Sequence, residues 1–197
     1  MQLDRPRVRQ AGPLLAGAGG SRIGPVGWRT GGQGRLFSFR RAMRLTDILK
    51  PQNIKLPLVS KTKTEAIEEL INLLTVNGEL RDRERVLQAV LDRESTRSTG
   101  IGEGLAIPHG KTDGVSDLVM AIGRAAEPID FGSVDGKPVT LIWLLTSPTD
   151  KTGPHITALG RVSKIWLMAS PQVRKKLLGA RNARDLYEVI VQQDELI

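Results

Sequence analysis

Cysteine is absent from all 197 residues. Its absence removes disulfides, thiolate metal sites and cysteine nucleophiles together, and it suits a cytoplasmic protein. Long apolar runs are missing too. The longest strongly apolar stretch, Val139 to Leu145, is interrupted by Thr140. It falls far short of the roughly 18–20 residues that a spanning helix needs, so any transport role would be played with a partner. There is no G-x-x-x-x-G-K-[ST] string to cradle nucleotide phosphates and no H-E-x-x-H zinc motif. Histidine is scarce: the chain has two, His109 and His155.

Acid and lysine are lacking from one end. Residues 1–42 hold eight arginines, no lysine and a single acid, Asp4, which places +7 of the net +8 there. Residues 43–197 are close to neutral, so no nucleic-acid partner is expected for them. The same 42 residues carry nine glycines and three prolines with no helical or strand period. Such a stretch cannot bury enough apolar surface to offset its chain entropy, and it reads as a disordered Arg/Gly-rich extension. Three origins are open: a translation start read too far upstream, a basic arm for nucleic acid or acidic lipid, or an organellar transit segment. The first is preferred, because regular periodicity begins directly after Met43.

From there the texture is that of a folded body. Leu45 to Leu49 reads as a short amphipathic turn ended by Pro51. Thr62 and Glu65 form a capping-box pattern, and Ala66, Ile67, Leu70, Ile71, Leu73 and Leu74 follow at helical spacing until Asn77-Gly78. Val86, Leu87, Val90 and Leu91 predict a second helix from near Asp82 to near Arg93. Apolar runs at Leu105–Ile107, Leu118–Ile122 and Val139–Leu145 predict strands, the last buried on both faces. A helix is expected over His155 to Met168, one over Gln172 to Leu178 behind Ser170-Pro171, and one over Asn182 to Val191. The order indicates a single α/β domain, residues 43–197, with a central mixed β-sheet flanked by helices.

One segment carries chemistry: Arg93-Glu94-Ser95-Thr96-Arg97-Ser98-Thr99-Gly100-Ile101-Gly102-Glu103-Gly104-Leu105-Ala106-Ile107-Pro108-His109-Gly110-Lys111. Alternating glycines can expose backbone N–H groups, Ser98 and Thr99 can donate hydrogen bonds, and Arg93 and Arg97 can neutralise oxyanions. His109 is expected where a strand ends, stiffened by Pro108 and released by Gly110. A near-neutral imidazole keeps one nitrogen free as a nucleophile. Spacing alone leaves a second reading open, in which His109 is a structural histidine and the arginines and hydroxyls decorate a solvated helix end. A third reading is a metal-dependent hydrolase using His109, His155 and a carboxylate such as Asp113 or Asp150.

The whole string resembles the signature of enzyme IIA domains of the bacterial phosphoenolpyruvate phosphotransferase system, mannitol/fructose class. The resemblance spans roughly residues 44–197, from L-T-D-I-L through the D-x-x-x-x-H-x-x-x-L pattern at Asp150 to Leu159. It looks closest to the stand-alone nitrogen-regulatory IIA proteins (IIA-Ntr). That likeness implies phosphorylation of His109 at Nε2 by an HPr- or NPr-type phosphocarrier. It also implies that His155 helps hold the phosphoryl group and that Arg93 supplies positive charge. Ser98 and Thr99 become candidates for phosphate contact, and Arg97 receives no role. Gly160 and Arg161 depart from the leucine-rich helix of the family. No cofactor and no metal are required, and no stand-alone turnover of a small molecule is expected. The likeness further implies a cytoplasmic regulator whose phosphorylation state is read by partners such as a potassium transporter or a sensor kinase. The alternative is a relay to a separate sugar-specific IIB protein.

Overall fold

The computed structural model describes residues 43–197, and the extension expected over 1–42 lies outside them. A 3-10 turn at Leu45–Asp47 opens the described chain. Strand β1 (Leu49–Leu58) and helices α1 (Lys63–Val76) and α2 (Arg83–Thr96) follow. Next come β2 (Gly100–Gly102), β3 (Leu105–Ala106), β4 (His109–Lys111), β5 (Val119–Ile129) and β6 (Val139–Ser147). Helices α3 (Thr152–Leu167), α4 (Pro171–Leu178) and α5 (Ala183–Asp194) close the chain.

The six strands form one mixed sheet in the order β1-β5-β6-β3-β2, with β4 continuing beside β6 beyond β3. β5 and β6 are antiparallel, whereas β3 and β4 both run parallel to β6. This arrangement makes β6 the centre, and its side chains divide by alternation. Leu141, Trp143 and Leu145 pack with α3, α4 and α5, and Ile142 and Leu144 pack with α1 and α2. The result is a mixed sheet between two helical layers, as the sequence predicts.

Local chemistry sets the helix ends. The Thr62 hydroxyl accepts from Glu65 N at 3.3 Å, and the Glu65 carboxylate accepts from Thr62 N at 3.1 Å. Asn77 caps α1, and Gly78 takes φ +70°, a left-handed value that glycine adopts without strain. Ser170 caps α4 with Pro171 in its first turn.

Three predicted elements change. The turn expected to end at Pro51 is instead followed by β1, a ten-residue strand containing Pro51 and Pro57. Proline forfeits a ladder hydrogen bond, and β1 tolerates two because it is an edge strand paired with β5 alone. β5 runs past Ile122 to Ile129, since β1 continues to pair with it as far as Ala125 and Val139 of β6 pairs with Ile129. Helix α3 starts at Thr152, three residues before His155, so His155 lies one turn inside the helix.

Arg161, the residue out of pattern in α3, has a structural partner. Its Nε donates to Asp194 Oδ1 at 2.7 Å, and its guanidinium also donates to the Asp194 carbonyl at 2.6 Å. The second oxygen of the buried Asp194 carboxylate accepts from Leu45 N at 2.7 Å. One carboxylate thus ties the opening turn, α3 and α5 together.

Candidate functional site

His109 opens β4 rather than closing the strand before it. Pro108 breaks the ladder between β3 and β4, and its carbonyl accepts from Leu145 N at 3.0 Å. β4 lies parallel to the end of β6, with His109 beside Leu145 and Lys111 beside Ser147. Strand alternation puts His109 and Lys111 on one face and Gly110 on the other. A Cβ at Gly110 would stand 3.0 Å from the backbone of Ala89 and Val90 in α2, so glycine lets the helix approach the strand. That approach brings the last turn of α2, with Arg93, up to His109.

The His109 ring is oriented by the main chain. Its Nδ1 lies 2.7 Å from the Ile107 carbonyl, which can only accept, so Nδ1 carries the proton. In the neutral ring Nε2 then holds the lone pair. Burial, opposed by the Ile107 hydrogen bond and assisted by the Arg93 charge, pulls the His109 pKa below its usual value. The neutral, nucleophilic ring therefore dominates at physiological pH.

His155 approaches from the first turn of α3, its ring centroid 5.5 Å from that of His109 and tilted by 55°. It is buried, and its Nδ1 lies 2.8 Å from Ser147 Oγ. Burial first, then the charges of His109 and Lys111, lower its pKa from 6.5 to about 4. A histidine that stays neutral when folded but charges when unfolded makes the folded state lose stability as pH falls from 6.5 toward 4. In an NMR pH titration, the His155 ring resonances are expected to stay constant from pH 8 to near 5, moving only around the lower value. A transition near 6.5 would contradict this placement.

Two cavities flank His109. One, of about 300 Å³, is lined by His109, His155, Arg93, Lys111 and Thr152, with Ile156 and Leu159 at its apolar side. The other, of about 320 Å³, is lined by His109, Arg93, Arg97, Ser98 and Thr99. His109 and Arg93 therefore belong to both. Arg93 Nη1 donates to the Arg97 carbonyl at 2.8 Å, which fixes the guanidinium at the end of α2.

The hydroxyls expected near phosphate are engaged elsewhere. Ser98 Oγ donates to the Phe131 carbonyl at 2.6 Å and accepts from Gly100 N at 3.1 Å. The buried Thr99 donates both its N–H and its hydroxyl to Glu94, whose carboxylate also pairs with Lys63 at 3.5 Å. These contacts anchor the loop to α2 and leave neither hydroxyl proton free for an incoming oxyanion. Of the three glycines, Gly100 lines the site, whereas Gly102 and Gly104 take positive φ in the β2–β3 turn. That turn faces the 133–140 loop, where Glu103 N donates to Asp135. The metal-hydrolase alternative gains no ligand set. Among the described residues no group of three or more His, Asp or Glu side chains is placed to hold an ion, and Asp113 accepts from Thr149.

Lys111, Thr152 and Ser147 are site residues that the sequence reading missed. Lys111 Nζ donates to Thr152 Oγ1 at 3.2 Å, bridging β4 to the start of α3. Its position two residues after His109 was a usable signal, but only if the strand continues past His109. Ser147 had no local signal, because its contact with His155 depends on the β6–α3 connection.

Residues 47–193 match the family described as phosphoenolpyruvate-dependent sugar phosphotransferase system, EIIA 2. The chain is 38% identical over 153 residues to the fructose-specific EIIABC component of Bacillus subtilis, covering 78% of this chain and 24% of that one. It therefore spans about a quarter of that multi-part relative. It is 34% identical over 149 residues to a nitrogen regulatory protein of Bradyrhizobium diazoefficiens, covering 75% and 95% of the two chains. Among solved structures, the nitrogen regulatory protein IIA-Ntr of Neisseria meningitidis superposes with a TM-score of 0.63 at 32% identity, covering 74% and 98%. No described helix is long and apolar enough to cross a membrane.

Proposed function

Because the chain belongs to the EIIA type-2 family of the phosphoenolpyruvate-dependent phosphotransferase system, we propose that residues 43–197 form a phosphocarrier domain whose acceptor is His109. The observation that carries this reading is the pair of imidazoles 5.5 Å apart. In one of them, His109, Nδ1 is held by the Ile107 carbonyl and Nε2 is left as the nucleophile.

The donor is a phosphohistidine on an HPr-type carrier. His109 Nε2 attacks phosphorus, the P–N bond to the donor ring breaks, and the donor nitrogen recovers its electron pair. Positive charge arising on the His109 ring is shared with its Nδ1–H, which already points at the Ile107 carbonyl. The transferring group is loose and metaphosphate-like, so alignment and charge complementarity supply most of the rate. Arg93, Lys111 and His155 stand where they can meet its oxygens in the smaller cavity. Since both donor and acceptor are imidazoles, the transfer is close to balanced and reversible.

The phosphorylated form carries about two additional negative charges on one surface. Regulation by partner proteins that read this charge is the preferred role, in the cytoplasm. The 95% coverage of the Bradyrhizobium regulator supports it. Relay to a separate IIB protein is the second reading, favoured by the 38% identity to the fructose component.

The test is incubation with phosphoenolpyruvate, enzyme I and an HPr-type carrier, followed by mass spectrometry. One acid-labile phosphoryl group per chain, mapped to the His109 peptide, is expected. Label on another residue, or none, would overturn the assignment. Rapid discharge of the label to an added IIB protein would replace the regulatory role with the relay.

A further inference from the structure

We infer that Ser147 is a positioning residue for the phosphoryl site, its hydroxyl donating to His155 Nδ1 and thereby holding His155 as an Nε2–H donor that faces His109. This inference rests on the phosphocarrier reading of His109.

The argument is an account of protons. Ser147 Oγ is fully buried, and its partner among the described residues is His155 Nδ1 at 2.8 Å. Two arrangements satisfy that distance. If Nδ1 carried the ring proton and donated to Oγ, the serine proton would have no acceptor among the described residues. A buried donor without a partner is costly. If instead the serine donates to Nδ1, both groups are satisfied and the ring proton resides on Nε2. The ring is neutral under these conditions, since its pKa is held to about 4. The ring's side-chain hydrogen bond among the described residues is at Nδ1, and the ring lines the cavity shared with His109 and Arg93. Its N–H is thus available to an oxyanion.

The backbone around Ser147 holds the hydroxyl in place. Ser147 pairs with Lys111 at the end of β6, and its carbonyl accepts from Thr112 N at 2.8 Å. The two imidazoles are then oriented in opposite senses. A carbonyl fixes His109 as an Nε2 acceptor, and a hydroxyl fixes His155 as an Nε2 donor. A lone pair that bonds phosphorus therefore shares one cavity with an N–H that can bind its oxygens. With the opposite tautomer, His155 would present a second lone pair and repel the same oxygens.

The test uses the full chain with 15N-labelled histidine. In the wild type, long-range 1H–15N spectra at neutral pH should show His155 with a protonated Nε2 and an unprotonated Nδ1. Ser147→Ala should give a mixture of tautomers, and transfer from the HPr-type carrier should slow about five- to tenfold, the equivalent of one modest hydrogen bond. Ser147→Thr keeps the hydroxyl and should restore both the single tautomer and the rate. A wild-type spectrum with the proton on Nδ1 would overturn the inference without any variant. So would a folded Ser147→Ala protein with unchanged tautomer and rate. The spectra need no phosphorylation, whereas mapping the label in the same samples tests His109, so the two readings can fail separately.

Discussion

His109→Ala protein will take up no phosphoryl group from an HPr-type carrier while remaining folded. The substitution removes the proposed acceptor, and the chain offers a single other imidazole, His155. That ring is not expected to take over, because with Ser147 donating to its Nδ1 the ring proton sits on Nε2 and no lone pair is left to attack phosphorus. His109 is only partly buried and its hydrogen bond is to a carbonyl at the cleft, so its loss should cost about 1 kcal/mol of stability. Phosphorylation assays with circular dichroism on the same sample check both halves. His155→Ala should behave differently: label still reaches His109, but roughly ten- to a hundredfold more slowly, as expected when an oxyanion donor is removed and the nucleophile is kept. Equal and complete loss in both variants would mean that the two rings act as one unit.

Asp194→Ala will be the most destabilising single substitution of those considered, by about 3–5 kcal/mol. Removing the carboxylate leaves the largely buried Arg161 guanidinium without its counter-charge and Leu45 N without an acceptor. Against a typical total stability of about 5–15 kcal/mol, that is enough to lower the urea midpoint substantially. Asp194→Asn should be milder, since the amide oxygen still accepts from one of the two donors. The double variant Asp194→Ala, Arg161→Met should lose less than the single alanine, because the stranded charge goes with its partner. A small effect of the single alanine would show that water replaces the carboxylate. Since Arg161 and His155 share α3, loosening this knot should also slow phosphoryl transfer.

Much of the fold was legible because its signals are local. Thr62 and Glu65 announced α1, Ser170 and Pro171 announced α4, and the apolar run at Val139 announced a strand buried on both faces. β1 was not legible, since Pro51 and Pro57 argue against a strand in any window that does not know it lies at a sheet edge. The end of β5 was hidden in the same way: Arg124, Glu127 and Pro128 look like a connection until β1 is seen pairing as far as Ala125 and Val139 of β6 pairing with Ile129. In the site, His109 and Arg93 lie in one continuous string and could be read together. His155 needed a family likeness to be linked with them, and the structure brings the two rings side by side. Lys111 required knowing that Pro108 separates two strands rather than ending one. Ser98 and Thr99 had the right chemistry for an anion, but the Phe131 carbonyl and the Glu94 carboxylate claim their protons. That outcome depends on tertiary neighbours that no spacing rule reports.

The anchoring of His109 to a main-chain carbonyl has a further consequence. Ile107 and β4 lie along the central strand of the sheet, so the His109 ring has little room to reorient, and as the proposed acceptor it would keep this pose with or without its cargo. The loaded and empty proteins should then share one contour and differ in electric field. Under the proposed regulatory role, a partner that tells them apart would sense potential instead of shape. Added electrolyte, which shortens the reach of that potential to a few ångströms, should erode the distinction while leaving the docking surface itself intact.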